Sequence, residues 1–301
     1  MAIVETPKDA FDLLPGYSFQ PNFCEVASTE DGPLKMHYVD YGSITNPIVL
    51  LLHGEPTWSY LYRNMITAIA QHGFRVIAPD LIGFGKSSKL TRIEDYSYDK
   101  HIRWLEALVS ALSMKDIILF CQDWGGLLGL RLVAAHQEKF RAVVAANTML
   151  PTGDHEVPDA FLKWQNFARH DKEFNIGKII QGATCTPLIS EVVNAYNAPF
   201  PSEEYKAGAR AFPLLVPTSP DNVESENNRI AWKNLSTFNK PFITAFSDSD
   251  PVTHGGDKVF QKLIPGAKDQ PHQTLKGGGH FLQEDCANAL SDIIINLGKS
   301  R

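Results

Sequence analysis

The chain has 301 residues, 44% of them hydrophobic and 21% charged, with a formal charge of −6. That allows one large domain with an insertion, or two domains, in an ordinary globular composition. An acidic balance without a basic cluster argues against a nucleic-acid partner, and no apolar run reaches the ~18 residues of a membrane span. In chain order, residues 36–42 alternate like a half-solvated strand that ends in a turn glycine. Residues 47–52 form a continuous apolar run, the mark of a strand buried on both faces, and lead into His53-Gly54-Glu55-Pro56. A helix is predicted from Tyr60 to Ala70, then a strand over 74–78 and a helix from about Tyr98 to Leu112. Ile117-Ile118-Leu119-Phe120 is again a buried strand; helix formers follow Gly126, and the next strand spans 142–146. Such alternation implies a mostly parallel sheet with helices on both faces.

Over residues 149–220 the alternation stops. Proline and aromatics abound there, with helical patches such as 160–169. It resumes with a strand at 241–246, and residues 272–275 precede Gly277-Gly278-Gly279-His280. The expected organisation is a core of residues 1–148 and 221–301, interrupted by a helical cap over 149–220. The cap would lie over the carboxyl ends of the strands, where open α/β sheets bind ligands.

The decisive stretch is Cys121-Gln122-Asp123-Trp124-Gly125, a reactive residue flanked by small ones between a strand and a helix. That is the spacing of a nucleophile elbow, in which the backbone approaches itself too closely for larger neighbours. The reactive residue is aspartate rather than serine. Asp250 follows the strand at 241–246, and His280 follows a triglycine after the last one, giving the order nucleophile, acid, histidine of α/β-hydrolases. Asp248 in the same loop is a second candidate acid; the Asp-Pro end of the loop favours Asp250. His53-Gly54-Glu55-Pro56 stands where this fold supplies an oxyanion-hole donor, so the backbone N–H groups of Glu55 and Trp124 are the expected pair. Gly83-Phe84-Gly85-Lys86-Ser87 lacks the earlier glycine of a phosphate loop, and no metal-ligand motif appears, so neither metal nor cofactor is expected. The amino-terminal residues lack an apolar signal core. Four cysteines (Cys24, Cys121, Cys185, Cys286) far apart read as buried free thiols, and the expected location is the cytoplasm.

With these motifs in view, the chain resembles haloalkane dehalogenases of the α/β-hydrolase superfamily, in the subfamily whose elbow reads Gln-Asp-Trp-Gly-Gly and whose acid follows the seventh strand. The matching stretches are residues 53–63 (HGEPTWSYLYR), 80–87 (DLIGFGKS), 122–126 (QDWGG), 161–165 (FLKWQ), 199–213 (PFPSEEYKAGARAFP) and 279–284 (GHFLQE). Epoxide hydrolases share the first two patterns in part; Glu55 beside Pro56 and the two tryptophans are more specific. The similarity is weak around 178–191. The resemblance implies that Trp164 joins Trp124 in holding halide, and that Phe161, Phe212 and Pro213 line a substrate pocket.

A carboxylate suits displacement at saturated carbon, forming an alkyl ester on the enzyme; attack on an ester substrate would give a labile anhydride. His280, supported by Asp250, would then activate a water to hydrolyse the Asp123 ester. The leaving group separates the readings. A departing halide needs only N–H donors in an apolar pocket, and indole is donor-only. An epoxide leaves as alkoxide and needs a proton donor, for which Tyr196 and Tyr205 are candidates. A non-catalytic ligand receptor is a third reading, disfavoured because the nucleophile, base and acid would then coincide by accident. The expected partners are a small apolar halogenated substrate, water and the halide product.

Overall fold

A computed structural model describes residues 2–29 and 32–299. Its centre is a sheet of β1 (Asn22–Thr29), β2 (Gly32–Tyr41), β3 (Ile48–Leu52), β4 (Arg75–Pro79), β5 (Ile117–Gln122), β6 (Phe140–Ala146), β7 (Phe242–Ser247) and β8 (Gln273–Leu275). Across the sheet they run β8-β7-β6-β5-β3-β4-β2-β1. Strands β3 to β8 pair in parallel, and β2 pairs antiparallel with both β4 and β1. The composition explains the division. Every residue of β5 is buried, as its unbroken apolar run requires, whereas β2 alternates because it is partly solvated. The edge strand β1 (NFCEVAST) mixes polar and apolar residues and buries only Val26, so no continuous apolar run marks it.

On the faces and over one end lie α1 (Arg63–Ala70), α2 (Tyr98–Ala111), α3 (Trp124–Ala135), α4 (Asp159–His170), α5 (Ile176–Gly182), α6 (Ser190–Asn197), α7 (Ala207–Leu215), α8 (Val223–Leu235), α9 (Gly256–Leu263) and α10 (Leu282–Lys299). Between β6 and β7 no described residue joins the sheet. Helix α8 returns to the sheet layers by packing on α3, where Arg131 donates to Glu224 at 2.9 Å and to Asn228 at 3.2 Å.

The excursion is tied down on several sides. Arg63 grips Glu284 through two hydrogen bonds of 2.5 and 2.8 Å, and the hydroxyl of Tyr196 on α6 donates to the same carboxylate. Thr6 Oγ1 donates to the Pro199 carbonyl at 2.8 Å. The Asp285 carboxylate accepts the N–H groups of Cys185 (3.1 Å) and Thr186 (2.7 Å). Residues Ile3–Val4 pair with Lys89–Leu90 in a small antiparallel ribbon that hydrophobic patterning did not reveal. The expectation of four buried thiols is corrected: all four are free, but only Cys121 is buried and Cys185 is exposed. No helix among the described residues is long and apolar enough to cross a membrane.

Candidate active site

Strand β5 delivers Asp123 to the start of α3 with φ +51° and ψ −128°, a conformation that L residues rarely adopt. The surroundings hold it there. Its N–H donates to the Asn147 carbonyl at 3.0 Å, and its own carbonyl accepts Gly126 N–H and the Thr148 hydroxyl, each at 2.8 Å. The turn needs glycine at two places. A Cβ on Gly125 would lie 2.0 Å from the Leu52 carbonyl oxygen, and one on Gly54 would lie 2.3 Å from Asp123 Oδ1.

Around this turn the sequence candidates converge. Asp123 Oδ1 accepts the Glu55 N–H at 2.7 Å, and Oδ2 lies 3.5 Å from His280 Nε2. His280 Nδ1 is 3.0 Å from Asp250 Oδ2. Asp250 is held in turn by the Thr253 hydroxyl and by Val252 N–H at 2.9 Å. Asp248 is turned elsewhere, accepting Gly277 N–H at 2.9 Å, so Asp250 is the carboxylate that meets the imidazole. His53 plays a scaffolding part. Its Nε2 accepts Leu81 N–H at 2.9 Å and its Nδ1 donates to the Gly54 carbonyl at 2.9 Å, which fixes a neutral tautomer.

The site is electrostatically polarised. Burial works against a charged imidazole at His280, but the negative charge of Asp250 and the contacts with Asp123 outweigh it and push the pKa up to about 10. Burial likewise opposes ionisation of Asp250; the charge of His280 and three hydrogen bonds prevail, bringing it to about 2. Glu55 goes the other way. Burial, reinforced by the charge of Asp123, raises its carboxyl well above the usual range, against the opposing pull of His280 and the Trp164 indole. Its Oε1 has no hydrogen-bond partner among the described residues.

These groups open on a cavity of about 370 Å³ whose wall includes Asp123, Trp124, Phe161, Trp164, Pro213 and His280. Phe212 is absent from that wall, contrary to expectation. It is fully buried and stacks on Trp124 at 4.5 Å, backing the indole instead of lining the cavity. Pro213 and Val216 of the same segment do face the cavity. Tyr196, its hydroxyl committed to Glu284, and Tyr205 are also absent from the wall.

Two neighbours of His280 carry roles that the sequence motifs do not assign. Asn147 donates through Nδ2 to Ser247 Oγ (2.8 Å) and to the carbonyls of Gly279 (2.9 Å) and His280 (3.1 Å), while its Oδ1 accepts Ser247 N–H at 2.9 Å. Gln122 donates to the His280 carbonyl at 3.1 Å. The available signal was position: both are polar residues at the carboxyl ends of apolar strands, where this architecture places its sites.

Sheet order, elbow and the succession of Asp123, Asp250 and His280 along the chain are those of an α/β-hydrolase, and a model of the alpha/beta hydrolase fold matches residues 47–285. Among curated relatives, a haloalkane dehalogenase of Psychrobacter cryohalolentis is 52% identical over 98% of this chain and 97% of its own length. One from Mycolicibacterium paratuberculosis is 45% identical over 98% of both. A solved tetrameric haloalkane dehalogenase from Paraglaciecola agarilytica superposes with a TM-score of 0.89 at 31% identity, covering 100% of this chain and 99% of that one. The chain belongs to the haloalkane dehalogenase family.

Proposed function

We propose that the protein hydrolyses haloalkanes to a primary alcohol, halide and a proton through an alkyl ester on Asp123. The observation that carries this reading is a carboxylate at the elbow, 3.5 Å from the imidazole and facing a cavity whose wall includes two indoles. Residues 149–220 are the cap over this cavity. Substrate carbon is attacked by an Asp123 oxygen, the carbon–halogen bond breaks, and the halide leaves toward the indole N–H groups of Trp124 and Trp164. Phe161 and Pro213 shape the pocket.

The second half-reaction depends on His280 changing its affinity for a proton. With Asp123 and Asp250 both negative, the imidazole is held protonated. Esterification removes the charge of Asp123, so the imidazole releases its proton more readily and becomes the base for water. Water adds to the ester carbonyl as His280 takes its proton; the backbone N–H groups of Glu55 and Trp124 hold the oxyanion, and collapse frees the Asp123 carboxyl group and the alkoxide, which takes a proton from His280 to leave as the alcohol. An epoxide substrate finds no phenol here, since neither candidate tyrosine reaches the cavity. Four free cysteines fit a cytoplasmic location. The reading is tested by a paired assay: halide release from a short bromoalkane against diol formation from a simple epoxide. Diol without halide would overturn it.

A further inference from the structure

A second chamber of about 360 Å³ lies against the active-site cavity, and Met149, Phe161 and Val216 belong to the walls of both. Beyond this partition the wall is mainly apolar, with Leu150, Val157, Trp232, Val259 and Phe260. It is a built surface. The Trp232 indole donates to the Leu150 carbonyl at 2.8 Å and stacks on Phe260 at 5.4 Å. The charged-type residues of the chamber, His155 and Glu156, are exposed and mark its outer rim.

Another part of the active-site wall borders a more open pocket: Trp164, Ile179, Gly182 and Ala183 are shared with it, and it carries Glu173, Lys178 and Lys206 beside Phe167, Phe174 and Phe200. The halide end of a substrate lies beside Trp164, which borders this mixed and more open pocket. An apolar tail gains most in the chamber past the partition, whose charged-type residues sit only at its rim. Met149, flexible and unbranched, is suited to yield there.

We propose that the second chamber is a subsite for the alkyl tail of long, unbranched terminal haloalkanes. The proposal rests on the dehalogenase reading and extends it to substrate length. Each methylene moved from water into such a chamber contributes about fourfold in affinity. A tail only a few methylenes longer than the first cavity accepts is therefore favoured by at least about tenfold in kcat/KM.

The test compares n-butyl bromide with n-octyl bromide by halide release, in the unmodified protein and in Val157→Trp and Val259→Trp. Both substitutions narrow the chamber from positions outside the active-site wall, and Val259 is 45% exposed on α9, where a larger side chain is tolerated. The expected result is an octyl preference in the unmodified protein that falls about tenfold or more in both variants. Turnover of butyl bromide should stay within about twofold, which also reports intact folding. An octyl-to-butyl ratio unchanged in both variants overturns the tail subsite, as does an unmodified protein that accepts only butyl bromide. Halide release from neither bromide would instead overturn the dehalogenase reading.

Discussion

Asp123 combines an uncommon backbone conformation with a carboxylate already shared between the Glu55 N–H and the His280 imidazole. Asp123→Asn keeps the shape and removes the negative charge that the proposed displacement requires, so steady-state turnover should vanish while the fold is retained. His280→Phe should fail later in the cycle. Halide would appear once per active site and an ester would accumulate on Asp123, visible by mass spectrometry. Continuous turnover in that variant would remove the histidine from the hydrolytic step. Trp164→Phe keeps most of the ring and deletes the N–H donor. A hydrogen bond to a developing charge is worth about 1.5–3 kcal/mol, so carbon–halogen cleavage should slow by roughly one to two decades in single-turnover measurements. The Asp250–His280 pair also leaves a pH signature. His280 is raised from 6.5 to about 10, so its contribution to stability is complete below pH 6.5 and is lost as pH rises toward 10. Asp250 is lowered from 3.8 to about 2, so its contribution is present above pH 3.8 and is lost as pH falls toward 2. The melting temperature should therefore exceed that of Asp250→Asn most between pH 3.8 and 6.5, with the gap closing on the alkaline side. A gap that stayed level from neutral pH to about 10 would contradict the assignment.

Strands β5, β6 and β7 end side by side, and Asn147 binds their ends to the histidine loop. Asn147→Ala orphans the buried Ser247 N–H and releases the carbonyls of Gly279 and His280. An unsatisfied buried group costs about 1–3 kcal/mol, measurable by denaturant unfolding. Because the loop carries His280, ester hydrolysis should slow more than alkylation. Equal slowing of both steps would point to general loosening. This residue also marks where sequence reading stops. The elbow, the HGEP loop and the triglycine before His280 are legible because turn chemistry, reactive residue and strand edge lie within a few positions of one another. Asn147, Gln122 and Glu284 act on partners more than 100 positions away, and nothing local announces such pairing. Phe212 departs from expectation for another reason. A matching stretch names the residues near a pocket, but the rotation of α7 decides which of them faces it, and that rotation is set by packing against Trp124. Strand β1 escaped notice because an edge strand needs no continuous apolar run.

Across the molecule, the segment between β6 and β7 is fastened to the core from several directions. The Arg63–Glu284 bridge is nearly buried, with the two side chains 7% and 3% exposed, and Tyr196 completes it from α6. Removing one partner of a buried pair strands the other charge, so Glu284→Ala should cost about 3–5 kcal/mol in unfolding experiments. A loss below about 1 kcal/mol would mean that Arg63 finds water or another acceptor. The same fastening has a consequence for time. Hinged lids move on scales of microseconds to milliseconds, while side-chain rotations take picoseconds to nanoseconds. With Thr6 joined to Pro199, Tyr196 to Glu284 and Asp285 to Cys185 and Thr186, wholesale lifting would break several contacts at once. Exchange of small molecules is therefore expected to need only the turning of individual side chains along the cavity wall, with the backbone of this segment almost stationary. Amides of α6 should exchange with deuterated solvent nearly as slowly as those of β5, and relaxation dispersion should find no common millisecond process spanning α4 to α6. Such a shared process would instead make the whole segment a moving door.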